Sequence, residues 1–166
     1  MAALLLVMTA MAHAAAPKVA VFNFEWADTS LEGEVKGARS DERARLLRVS
    51  AQLRDEMKKS GRFELLEMST LDVAAQGKNL QACGGCDVQL AQQIGADLVV
   101  TGLVQKVSNL ILNMNIYLRD VHTGRTIAAM SADMRGNTDE SWSRATSYLV
   151  RNRLLAPNYG VPQPQQ

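Results

Sequence analysis

From Leu110 to Leu118 the chain alternates without a break. Leu110, Leu112, Met114, Ile116 and Leu118 fall on one parity, and Ile111, Asn113, Asn115 and Tyr117 on the other. Successive side chains of a strand point to opposite faces, whereas helical turns would scatter both sets. The segment therefore reads as a half-buried strand that sends Leu112, Met114 and Ile116 into the core. Just before it, Asp97 to Val107 is nearly continuously apolar, as a strand covered on both faces should be. Just after it, Asp120-Val121-His122-Thr123-Gly124 supplies a tight turn, with Gly124 placed for the left-handed position of a bulged hairpin. Arg125 to Arg135 then returns as the next strand. Three successive strands commit the second half of the chain to a sheet.

The first half has different periods. Lys18 to Phe24 is a compact Val- and Phe-rich run that suits a central strand, while Glu25 to Ser40 has no clear period and reads as a loop. Ser40 can cap a helix with Asp41 and Glu42 in its first turn. Leu46, Val49, Leu53 and Met57 then repeat at helical spacing until Lys58, Lys59 and Gly61 end it. Phe63 to Glu67 forms a short strand, and the stretch to Ala82 reads mostly as connector with one helical turn. A second short helix runs from Asp87 to Gly95. Thr138 to Leu154 closes the domain as a helix whose Trp142, Ala145 and Leu149 share one face. The expected class is α+β: one mixed sheet with helices mainly on one face, in the order β-α-β-α-β-β-β-α.

The first sixteen residues contain no Lys, Arg, Asp or Glu and carry the apolar run Ala2 to Met8 before a series of alanines. They read as a secretory signal peptide, with the Ala12-His13-Ala14 site predicting cleavage after Ala14. The missing basic residues place the expected start of translation upstream of Met1. No cysteine follows the run, so an exported, periplasmic protein without a lipid anchor is expected. Residues 15–156 form the single domain, and residues 157–166, with Pro157, Pro162, Pro164 and the terminal glutamines, form a loose tail. No membrane span is expected in the mature chain. With 18 Lys+Arg against 17 Asp+Glu, the balance excludes nucleic acid as the expected partner, and aromatics at 5% argue against a base-stacking platform.

The strand signatures Val19-Ala20-Val21-Phe22-Asn23-Phe24, Ile94-Gly95-Ala96-Asp97-Leu98-Val99-Val100-Thr101-Gly102 and Leu118-Arg119-Asp120-Val121, with Thr123-Gly124, resemble those of the TolB amino-terminal domain and the periplasmic part of CsgG-like proteins. The stretch Val104 to Asn113 is similar to a narrower secreted bacterial family, a domain of unknown function of the DUF2380/DUF3280 type. The resemblance implies a TolB N-terminal-like fold and a cell-envelope setting, and it brings no catalytic residues. The extra apolar hairpins that a CsgG-like pore needs are missing.

One motif carries chemistry, Cys83-Gly84-Gly85-Cys86. In an exported chain this spacing points to a small disulfide. The alternative is a redox pair, with Cys86 near a helix start that lowers a thiol pKa. Thioredoxin-like enzymes face such a motif with a cis-proline, and no proline lies between Lys18 and Ala156. No metal site or cofactor is expected, since the domain offers two cysteines and His122, a turn residue. Asp41/Glu42 and Asp139/Glu140 sit at helix starts, where the dipole accounts for them. Two function classes follow: a non-enzymatic periplasmic binding or assembly module whose partner is another envelope protein, or a periplasmic redox accessory using Cys83 and Cys86. For the first, the candidate partner surface is the polar row Asn113, Asn115, Tyr117 and Arg119, because asparagine is a poor strand former and Tyr and Arg are enriched at interface hot spots. A solvated sheet face explains the same row. Trp26 either extends this surface or folds back onto the core.

Overall fold

The computed structural model describes residues 15–156; the expected leader and tail lie outside the described residues. Eleven-residue strands β1 (Lys18–Asp28) and β3 (Leu98–Ser108) form the centre of one five-stranded sheet. Its order is β2-β1-β3-β4-β5, where β2 is Glu64–Leu65, β4 Ile111–Asp120 and β5 Thr126–Met134. β1 pairs in parallel with β2 and β3, whereas β3, β4 and β5 form an antiparallel meander. The α+β class and the single mixed sheet are those the periodicities predict.

Helices α1 (Leu31–Lys36), α2 (Ser40–Lys59), α3 (Ser69–Ala75), α4 (Cys86–Gln93) and α5 (Asp139–Tyr148) complete the architecture, and a π-helical segment, Leu149–Leu155, continues α5. Helices α1 and α3 fall where the sequence reads as loop and connector; α1 buries no residue, so it has no apolar stripe to announce it. Ser40 is the first residue of α2 rather than its cap, which is Arg39.

The larger core lies on one face. There Val49, Leu53 and Met57 of α2, Trp142 and Ala145 of α5, and Leu149, Val150 and Leu154 pack on Leu112, Met114, Ile116 and Leu118 of β4 and on Val100 and Val104 of β3. The β4 set is buried as its parity requires; Leu110 alone falls outside it, 73% exposed in the β3–β4 turn. On the opposite face α3 and α4 cover only the β1–β3 end, over Ala20, Phe22, Val99 and Val121. Among the described residues no helix lies over the β4–β5 end of that face, and that end carries the polar row.

Candidate functional site

On the open face, Asn113 stands opposite Asp133, Asn115 opposite Ser131 and Tyr117 opposite Ala129 across the β4–β5 pairing. The amides do have work to do. Asn113 Nδ2 donates to Ser131 Oγ and Asp133 Oδ1, both at 2.8 Å, and Asn115 Nδ2 donates to Asn113 Oδ1 at 2.6 Å and to Gln105 Oε1 at 3.4 Å. These bonds hold a ladder of side chains from β3 to β5, with the half-buried Tyr117 at its end. Arg119 shares the face but is committed inward. Its Nη1 bonds both carboxylate oxygens of Asp87, at 2.7 and 2.9 Å, and its Nη2 and Nε bond the Gly124 carbonyl. Asp87 is 1% exposed, so Arg119 balances a buried charge at the start of α4.

Trp26 does not extend this row. It lies in β1, on the opposite face, and stacks on Trp142 with ring centroids 5.5 Å apart. The register of β1 against β3 shifts between Val21 and Phe24, so Val19 and Val21 share a face with Phe24, Trp26 and Asp28. That slip of one residue breaks the period and makes the second half of β1 resemble a loop. Alternation resumes at Phe24-x-Trp26-x-Asp28, which is the signal that locates Trp26.

Beside Trp26 lies a buried ionic cluster that sequence reasoning missed. Lys106, 1% exposed, places its Nζ 2.7 Å from Glu42 Oε1, 3.2 Å from Glu32 Oε2 and 3.4 Å from Asp28 Oδ2. Its ammonium lies 6.0 Å from the Trp26 ring. Asn137 Nδ2 also donates to Glu42 Oε1, while Asn137 Oδ1 accepts from Trp142 Nε1 and Arg45. The cluster therefore joins β1, β3, α2 and the start of α5. Burial opposes the charge on Lys106, but Glu42 and Glu32 outweigh it and hold the ammonium above the ordinary lysine range. Burial also opposes the Asp28 charge, yet the Ser30 hydroxyl and amide and then Lys106 hold that carboxyl below its ordinary range. Glu32 is lowered by Asn109 and then by Lys106. A lysine kept protonated is neither a nucleophile nor a base, so the chemistry of this cluster is structural. The clue was parity: Lys106 is in step with Val100 and Val104, on the covered face.

Cys83 and Cys86 form a disulfide with a Cα–Cα distance of 5.6 Å. Both intervening glycines have positive φ, 70° at Gly84 and 97° at Gly85, the latter at the N-cap of α4. The Cys86 amide donates to Cys83 Sγ at 3.2 Å. His122 is exposed, with its Nε2 3.3 Å from Asp97 Oδ1. Next to the open face, a groove of about 720 Å³ lies between β1 and the α3–α4 connector. In it Glu25 Oε1 accepts from the Leu80 amide at 2.8 Å, and burial pushes the Glu25 carboxyl above its ordinary range.

Residues 17–154 match the model of a single family, DUF3280, described as a protein of unknown function (DUF2380). The chain belongs to that family. No curated protein matches its sequence. Among solved structures, this DUF3280 chain is similar to the LpoB C-terminal domain from Salmonella enterica at 18% identity and a TM-score of 0.51, covering 76% of this chain and 87% of that one. The same domain from Escherichia coli aligns at 19% identity and a TM-score of 0.51, covering 75% and 86%. TolB from Acinetobacter baumannii aligns at 16% identity and a TM-score of 0.45, over 86% of this chain and 29% of that one. At such identities the likeness is one of fold. Among the described residues no helix is long and apolar enough to cross a membrane.

Proposed function

We propose that this DUF3280 chain is a non-enzymatic binding or assembly module of the bacterial cell envelope, which holds another envelope protein on the open face of its sheet. One observation carries the reading: the Asn113–Asn115–Ser131–Asp133 ladder is bonded side chain to side chain at the β4–β5 end of a face whose described helices cover the β1–β3 end. Pre-bonded amides keep spare acceptor and donor capacity at fixed positions, so a partner meets an ordered polar surface at little entropic cost. Tyr117 supplies the amphipathic anchor at one end of that surface. Arg119 belongs to the support, because its guanidinium is engaged by Asp87. The disulfide and the apolar leader both suit an oxidising compartment outside the cytoplasm.

The test is photo-crosslinking in living cells from a benzophenone amino acid placed at Asn115, with Lys58 on the far side of the molecule as the control position. A discrete adduct from position 115 that is absent from position 58 is expected. Equal labelling from both positions would leave the ladder a solvated face and remove the proposal.

A further inference from the structure

β5 forms one edge of the sheet, and among the described residues its outer backbone groups have no partner. An edge of nine residues with unpaired backbone is an invitation to another strand. This edge also has a second wall. A groove of about 630 Å³ runs between the second half of β5 and α5, floored by Ala132, Met134 and Ala145 and bordered by Arg144 and Tyr148. Ala132 lies on the covered face yet remains half-buried, so its small side chain leaves room beside the strand.

Charge determines what fits. Arg125 and Arg135 bracket β5, both exposed and, among the described residues, neither in an ion pair, while Asp133 between them is bonded by Asn113 and Glu140 on the groove wall is already paired with Arg144. A second copy of this chain would add its own β5 antiparallel to the first. In the centred register that sets Arg125 opposite Arg135 at each end, and like charges directly opposite are destabilising. An acidic strand meets the opposite situation.

We infer that the β5 edge and the α5 groove accept an extended acidic segment of another protein by strand addition, its alternate side chains apolar and seated over Ala132 and Ala145. The slot over Ala132 and Ala145 is on the helix-covered side of β5, while Ser131 and Asp133 of the same strand belong to the ladder, so protection confined to Thr126–Met134 tests the edge and the adduct from position 115 tests the open face.

The experiment selects from a random library of ten-residue peptides on the purified, disulfide-intact protein, and maps the enriched peptides by amide chemical shifts and hydrogen exchange. Alternating apolar and acidic sequences are expected, with new exchange protection concentrated in Thr126–Met134. Affinity should fall at least tenfold in an Arg125→Glu, Arg135→Glu variant, whose exposed positions leave the fold intact. Ala132→Trp, checked for folding by its melting temperature, should block the slot. Three results each overturn the inference: no enrichment, enriched peptides that lack acidic residues or bind away from β5, or concentration-dependent protection of β5 in the protein alone, which would make the occupant a second copy.

Discussion

Lys106 shows how much one side chain can control. With Glu42 fully buried and bonded to it at 2.7 Å, Lys106→Met leaves a carboxylate stranded in the interior, and a loss of about 3 to 5 kcal/mol is expected in urea unfolding. The Lys106→Met, Glu42→Gln double variant should be more stable than the single one, because the orphan charge is gone. Asp28 adds a pH dependence whose sign follows from its lowered folded value. The unfolded chain takes up a proton first as the solution is acidified, so the stability Asp28 contributes is present above the ordinary aspartate range, begins to fall there and is lost as pH drops through the lowered folded value. The difference in unfolding free energy between wild type and Asp28→Asn should shrink below about pH 4, measured by urea titration from pH 6 downward. A constant difference would show that the carboxylate's charge plays no part. In the core, Ile116 is completely buried, and Ile116→Ala should cost about 2 to 5 kcal/mol, read from the same titrations.

Among the elements, β1 and β3 are held by an unusual contact. Gly102 lies opposite Phe24 in the parallel pairing, and a Cβ there would run into the Phe24 ring. Glycine weakens a strand on its own, but here it gives the ring a floor. Gly102→Ala should lower stability by about 1 to 3 kcal/mol through overpacking. In a thermal melt, the loss in the double variant with Phe24→Ala should be less than the sum of the two single losses. The start of α4 is held differently. Its disulfide closes a loop of only four residues, so replacing both cysteines by serine should cost about 2 kcal/mol, well below what a long-range crosslink contributes. The element scale is also where the sequence was most and least readable. β4 could be read because its alternation runs unbroken, and α2 because four apolar residues repeat at helical spacing. The second half of β1 could not, since a one-residue slip reverses the faces, and α1 could not, since it buries nothing. Arg119 looked like a free surface residue because its partner, Asp87, is 32 positions away and on another element.

The molecule as a whole has one closed face and one half-closed face. That asymmetry assigns α2, α5 and the π-helical segment to stability and, among the described residues, leaves the β4–β5 end, where the proposed partner would bind, without a helix over it. The sequence predicted the closed face through the parity of β4; it also put the polar row on the other side, but not the α3 and α4 cover that limits its extent. The exported form is expected to begin at Ala15 with Cys83 and Cys86 joined, and the intact mass of periplasmic material, with and without alkylation, checks both. The arrangement of the sheet has a further consequence in time. β1 is a central strand, yet its long partner lies far along the chain: the Lys18 amide bonds Asp97, 79 residues away. A chain emerging from its amino terminus therefore holds β1 for a long stretch of synthesis with only the two-residue β2 to pair with it. Loop closure must precede the reward of pairing, so collapse waits until β3 and its hairpin with β4 are available. On the export route that the apolar leader predicts, a first strand that cannot settle early would keep the chain threadable.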